Sequence, residues 1–272
     1  MTPTEDFAKR RQQAEALIRQ QAPANLHEKL IALLRPAIAL TTTRADDTQL
    51  PIGSSKFGGS PDVPNGFEWP MWNEEPLSFL VQINLEEIAS YDDQELLPKH
   101  GLLSFFFSWS DWSGTAENIC RIRWFDSSKL VRSSSAADRA IPSDPFAISV
   151  EGYYEIEVPF APVGNWTQEE IDELGPLTEL PYGPLAHDGE LYRPECWNKM
   201  FGYGDDAYGA PHSSFCYQQD HYPWQSLLQL YLPQFPGGAP NFGEAVLLYF
   251  SIHLDDLRER RFHKADFGVG AS

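Results

Sequence analysis

Basic residues are scarce in this chain: 20 Lys and Arg stand against 39 Asp and Glu in 272 residues, a formal charge of −19. A surface that grips nucleic acid or anionic lipid must neutralise phosphates, so this balance excludes both as general electrostatic partners. Cysteine is scarce too. Cys120, Cys196 and Cys216 are odd in number and show no C-x-x-C spacing, which removes a disulfide framework and a structural zinc site and leaves them as buried or half-buried thiols. Long apolar runs are missing. Leu102–Phe107 and Ala245–Phe250 fall far short of the roughly 20 residues of a membrane helix. The opening Met1–Asp6 is acidic and lacks the basic and apolar parts of a secretory signal, so a cytoplasmic protein is expected. No G-x-x-x-x-G-K-[ST], G-x-G-x-x-G or G-x-S-x-G pattern occurs, which leaves phosphate cradling and serine hydrolysis without a foothold.

What is present is ample apolar material, 42% hydrophobic and 13% aromatic, enough to fill a sizeable core. The chain is organised around Phe57-Gly58-Gly59-Ser60-Pro61-Asp62, a turn, followed by Pro76–Leu85, a strand whose Gln82 sits inside an apolar run. A weaker copy returns as Phe201-Gly202-Tyr203-Gly204-Asp205-Asp206 and Ser226–Leu232 with Gln229. In both places a turn and a strongly apolar strand follow. Two related β units built by internal duplication are therefore expected.

The periodicity predicts helices over Thr4–Ala22 and from an Asn25 N-cap to Pro36, then extended Ala37–Leu40 and a polar stretch from Thr41 to Ser55. Leu102–Phe107 is apolar at nearly every position and should be covered on both faces. Ile119–Phe125 alternates apolar residues with Arg121 and Arg123, a strand with one wet face, and Ile148–Phe160 is a further strand. Ser127–Ala140 reads as an exposed loop. Thr167 and Glu170 have capping-box spacing for a helix through Leu174, stopped by Gly175 and Pro176. The expected fold is α+β: N-terminal helices over 1–40, a mainly antiparallel β unit over 41–160, an acidic connection over 161–195 and a second β unit over 196–272, all in one globular body.

Candidate chemistry is thin. His212, Cys216 and His221 with Asp205, Asp206 and Asp220 offer metal-ligand types, but their spacing matches no ligand pattern, so neither metal nor cofactor is expected. His187-Asp188 could orient a base, yet neighbouring side chains in an extended segment point apart. Trp109, Trp112 and Trp124 read as core or interface residues. Gln82 and Gln229 must find hydrogen-bond partners if buried: either each ties its strand to a loop, or together they line a cleft between the units that would hold a small molecule.

Several stretches resemble a bacterial family known as YwqG-like. They are Arg35-Pro36-Ala37-Ile38, Lys56–Pro61 with Trp69-Pro70, Pro76–Leu85, Leu97-Pro98 with Gly101–Phe106, Leu228-Gln229-Leu230, Gly243 with Leu248-Tyr249-Phe250, and Asp256-Leu257-Arg258 with Phe262. The loop from Tyr203 to Asp220 departs from the family's pattern. The resemblance implies an α+β fold with mainly antiparallel sheet and brings no activity or cofactor with it. It also implies a partner, since some members sit beside toxin genes as neutralising proteins.

These readings favour a non-enzymatic, protein-binding module of the immunity type over an enzyme. Its expected partner is a basic toxin domain, steered by Glu169, Glu170, Asp172, Glu173, Asp188, Glu190, Asp205 and Asp206 and anchored by exposed Trp166, Tyr203 and Tyr208.

Overall fold

Two helices, α1 (Pro3–Gln21) and α2 (His27–Leu33), lead into the first strand of the computed structural model. It describes residues 3–108, 119–126, 129–133, 144–158, 162, 164–178, 197–204, 224–231 and 246–271. Phe7, Ala14 and Ile18 repeat at helical spacing and bury one face of α1. That face meets Leu26, Leu30 and Tyr154, and the Phe7 ring stacks on Tyr154 at 4.7 Å. The start of α2 differs from the sequence expectation. A 3-10 turn over Ala24–Leu26 precedes it without a side-chain cap, and the Asn25 amide instead reaches Glu173 at 3.3 Å.

Strand β1 (Arg35–Arg44) begins right after α2 and runs through the stretch expected to be a polar connection. Its Thr41–Thr43 are β-branched and suit a strand whose end faces water. Pro36 lies inside the strand rather than ahead of it. The ladder to β11 (Lys199–Phe201) starts only at Ala37, so the missing N–H falls near the strand's beginning, where it costs little.

The remaining strands are β2 (Lys56–Phe57), β3 (Asp62–Pro64), β4 (Met71–Trp72), β5 (Glu75–Pro76), β6 (Ser78–Asn84), β7 (Leu102–Phe107), β8 (Cys120–Phe125), β9 (Leu130–Arg132), β10 (Phe146–Glu155), β12 (Trp224–Tyr231), β13 (Val246–His253) and β14 (Asp266–Ala271). Short helices α3 (Leu85–Ile88) and α5 (Leu254–Arg258) follow β6 and β13, and α4 (Gln168–Thr178) follows β10. Ten strands form one sheet in the order β14-β13-β12-β11-β1-β10-β2-β6-β7-β8, with antiparallel neighbours throughout. The small ladders β3-β9 and β4-β5 lie outside it. The architecture is thus α+β, mostly antiparallel β with a few helices.

The sheet curls until its ends nearly meet. Phe105 of β7 packs edge-on against Phe250 of β13 at 5.1 Å, and Phe107 lies 4.6 Å from Phe267 of β14. One large core fills the inside of the curl, from Ile38 and Leu40 through Val81, Ile83 and Leu103 to Leu228, Leu248 and Phe250. All six residues of β7 are buried, because Phe79 and Phe106 are covered on the outer face by Phe67, Trp69 and Trp72. No helix among the described residues is long and apolar enough to cross a membrane.

Candidate functional site

Among the described residues, two lysines are the largest charged side chains sealed in the interior, Lys56 at 0% and Lys199 at 1% exposure. An isolated buried ammonium is strongly disfavoured, so each must be matched nearby. Lys56 donates to Asp47 Oδ1 and to the Ser60 carbonyl, both at 2.5 Å. The second oxygen of Asp47 accepts the Ser60 N–H at 2.6 Å. Lys199 lies 3.1 Å from Glu155 Oε2, and Glu155 accepts the Tyr203 N–H through Oε1 and the Tyr153 hydroxyl at 3.1 Å.

The backbone around the lysines runs alike. Lys56 faces Gln82 across the β2-β6 ladder, and Lys199 faces Gln229 across β11-β12. Each glutamine lies just past an irregularity in its strand's register, between Phe79 and Val81 in one and between Ser226 and Leu228 in the other. Three residues beyond each lysine stands a glycine in the left-handed region, Gly59 at φ +65° and Gly202 at φ +67°. A Cβ at either position would run into the paired carboxylate, so both carboxylates are set by a turn that only glycine permits.

Around Lys56 the network is wider. Asp62, fully buried, accepts from Gly53 N–H and Gln82 Nε2 at 2.8 Å and from Arg132 Nε at 2.9 Å. Arg132 also donates to the carbonyls of Asp47 and Pro51. Burial lowers the Lys56 ammonium below the usual lysine range, with Asp47 and Asp62 working against it. Burial raises Asp62, but the bonds from Arg132, Gly53 and Gln82 outweigh it and hold the carboxyl below the usual aspartate range. These groups fasten the 45–55 segment to the sheet.

Gln82 and Gln229 are both fully buried on the sheet face turned away from the shared core. Gln82 spends its amide on Asp62 N–H, Asp62 Oδ2 and the Ser54 carbonyl, each at 2.8 Å, and Gln229 donates to the Trp197 carbonyl at 3.0 Å. Each ties a strand to a loop of its own. The seam where the sheet's two ends approach is filled by Phe105, Phe250, Phe107 and Phe267 instead.

The acidic helix α4 carries the other expected residues. The capping box is present: Thr167 N–H donates to Glu170 at 2.9 Å and Glu170 N–H to the Thr167 hydroxyl at 3.3 Å. The helix runs on to Thr178, past the expected stop at Gly175. Glu169, Asp172 and Glu173 are exposed, whereas Glu170 is half-buried against Lys29 at 2.5 Å. Two expected anchors lie inside. Trp166 is 7% exposed beneath the Lys29 ammonium, 5.2 Å from its ring, because it closes the small core between α1, α2 and α4. Tyr203 is 6% exposed: its hydroxyl donates to the Leu33 carbonyl at the end of α2 while the Arg35 guanidinium sits 4.8 Å above the ring. Burial pushes this phenol up to about 12.

Asp188, Glu190, Asp205, Asp206 and Tyr208 lie outside the described residues, as do His187, His212, Cys216, Asp220, His221, Cys196, Trp109 and Trp112. Among the described residues no His, Cys, Asp and Glu cluster could hold a metal ion. Cys120 is buried, and desolvation raises its thiol to about 12. Lys56 and Asp62 figure in the sequence only as parts of the Gly-Gly turn, with no sign of a charge network, and Arg132 falls in the stretch expected to be an exposed loop.

The family described as a domain of unknown function (DUF1963) matches this sequence over residues 55–269. That span runs from the residue before β2 into β14, and the chain belongs to this family. No curated protein matches it.

Proposed function

We propose that this chain is a cytoplasmic, non-enzymatic protein-binding module of the YwqG-like kind, an immunity-type protein that occupies a basic toxin domain. The observation that carries this reading is the division of labour among its charges. The buried ions, Lys56, Asp62, Lys199 and Glu155, are taken up in holding loops on the sheet, while Glu169, Asp172 and Glu173 project from α4 into solvent. Carboxylates of that kind raise association rates with a basic partner more than they raise final affinity.

Internal duplication accounts for the scaffold. The parallels between the two lysine sites, in register, irregularity, left-handed glycine and captured N–H, support it. The equivalence they favour matches Lys56 with Lys199, so that Gly59 corresponds to Gly202. This is one residue off the Phe-Gly match visible in the sequence.

The test uses the product of the reading frame beside this gene. The expected result is binding whose on-rate falls about tenfold from low to high salt, as steered association does. The variant with Glu169→Lys, Asp172→Lys and Glu173→Lys should associate slowly at every salt concentration. A neighbouring product that neither binds nor is neutralised, or one that associates equally fast at all salt concentrations, defeats the proposal.

A further inference from the structure

We propose that Asn65-Gly66 is a site of spontaneous modification by water: the asparagine amide leaves as ammonia, the residue becomes aspartyl or isoaspartyl, and the isoaspartyl form releases the aromatic cover on the outer face of β7. The inference does not rest on the protein-binding reading, since it concerns the turn between β3 and β4.

Asn65 is the one asparagine in the sequence that is followed by glycine. The two form the middle of a turn that the Phe67 N–H closes by donating to the Pro64 carbonyl at 3.0 Å. Gly66 has φ +80° while Asn65 stays out of the positive region, the pattern of a type II turn. Both residues are exposed, and a Cβ on Gly66 would meet nothing within 4 Å. Among the described residues, no hydrogen bond engages the Asn65 side chain, its carbonyl or the Gly66 N–H. Other asparagines are committed. Asn84 accepts the Glu86 N–H at 3.0 Å and Asn198 the Tyr231 N–H at 2.7 Å, and bulkier residues follow them, Leu85 and Lys199.

The Gly66 nitrogen gives up its proton to solvent base and attacks Asn65 Cγ. The bond from Cγ to the amide nitrogen breaks, and that nitrogen takes a proton from water and leaves as ammonia. A succinimide ring results. Reaching it requires the Asn65–Gly66 peptide plane to rotate about the Asn65 Cα–C bond until the nitrogen faces Cγ, and neither a hydrogen bond nor a side chain on Gly66 resists that rotation. The reacting groups are already tethered, so no encounter has to be made. Water then opens the ring: addition at Cγ restores the main chain with an aspartate, and addition at the main-chain carbonyl leaves the chain running through the side chain as isoaspartate. The consequence falls on Phe67, whose ring lies 5.7 Å from Phe106, 5.3 Å from Phe125 and 6.2 Å from Trp69. It thereby joins the two apolar clusters on the outer side of β7 and β8. An isoaspartyl link adds a methylene to the main chain inside the span that the Phe67–Pro64 bond closes. The turn then cannot keep both that bond and the seat of the ring.

The test holds the full-length protein warm at mildly alkaline pH, samples it over days, and counts isoaspartate with an isoaspartyl carboxyl methyltransferase and labelled S-adenosylmethionine, followed by peptide mapping. Label should accumulate on the peptide that holds residues 65 and 66, in proportion to hydroxide and within a few-fold of the rate of the same chain unfolded in urea. Asn65→Gln, whose longer side chain closes a ring poorly, should carry many-fold less label there and keep the wild-type urea midpoint, fresh or aged. Aged wild type should unfold at a lower midpoint than fresh, with tryptophan emission shifted to the red as Trp69 loses its cover. Fresh Asn65→Asp, which has the charge on an unextended main chain, should match fresh wild type. Label that forms only in urea, or at an equal level in Asn65→Gln, overturns the site. An aged chain that carries isoaspartate at this turn with midpoint and emission unchanged overturns the release of the cover, and so does a fresh Asn65→Asp variant that already shows the lowered midpoint, because charge alone would then account for it.

Discussion

The surroundings of Lys56 and Lys199 use one backbone arrangement and two electrostatic solutions. At Lys199 the counter-charge belongs to a strand: Glu155 ends β10 at 3% exposure, and neutral donors, the Tyr153 hydroxyl and the Tyr203 N–H, complete it. At Lys56 the counter-charge belongs to a loop. Asp47 is 21% exposed, and a second acid and an arginine, Asp62 and Arg132, are added behind it. The difference teaches that a buried lysine can be sealed by depth or by numbers. Among the described residues, the carboxylate set inside the sheet is joined by neutral donors, whereas the one that grazes water is joined by a wider charge network that holds the loop down.

That contrast is broken most sharply by deleting the counter-charges. Glu155→Ala removes the carboxylate that lies 3.1 Å from the buried Lys199 and should cost ~3–5 kcal/mol of unfolding free energy. Asp47→Ala leaves Lys56 with the Ser60 carbonyl and Asp62 close by, so its cost should be nearer ~1–3 kcal/mol. Urea unfolding of the two variants decides the matter. An Asp47 variant as damaged as the Glu155 variant would mean that depth is not what separates the sites.

The glycines test what the two sites share. Gly59→Ala and Gly202→Ala each force a side chain into the left-handed region and against the paired carboxylate, and each should cost roughly 1–3 kcal/mol. Near-equal losses in midpoint are expected in spite of the different charges. A Gly59 variant that unfolds at the wild-type midpoint would show that the Asp47 loop yields where β10 does not.

Much of this arrangement was legible beforehand and part was not. The glutamine strands, the almost wholly apolar β7 and the Thr167–Glu170 capping box follow from local pattern, because burial on both faces and a three-residue capping spacing leave direct marks in a sequence. The helix-to-strand switch at Arg35 and the continuation of β1 through Thr41–Thr43 were hidden, since pairing with β10 decides them and that partner lies more than a hundred residues away. The burial of Trp166 and Tyr203 was hidden for the same reason: their cover comes from Lys29, Leu33 and Arg35 of the N-terminal segment. Lys56 carried no local sign of its interior position, because a lysine before a turn is ordinarily solvated.

Acid sharpens the comparison at the Lys56 site. Asp62 is held below the usual aspartate range in the folded chain, so on acidification the unfolded chain takes up the proton first. The stability that Asp62 contributes is therefore complete above about pH 4 and is lost as pH falls through the depressed folded value. Urea midpoints measured from about pH 5 to about pH 3 should fall less steeply for Asp62→Asn than for the wild type. Parallel curves would remove Asp62 from the charge network that distinguishes this site.

The smallest effect belongs to the two neighbouring glutamates of α4, where the same contrast between committed and free charge appears at the surface. Glu170 closes the capping box and accepts from Lys29, and the Lys29 bond first, then the Thr167 N–H, lowers its carboxyl below the usual glutamate range. Glu169, next to it, projects into solvent. Glu170→Gln keeps the shape and removes the charge, so it should lower the thermal midpoint slightly, and high salt should shrink the difference because the Lys29 pair is screened. Glu169→Gln should leave the midpoint unchanged and, if α4 steers a basic partner, should slow association instead. A stability loss at Glu169 equal to that at Glu170 would mean that both acids serve the scaffold, and the outward face of α4 would then have no charge set aside for a partner.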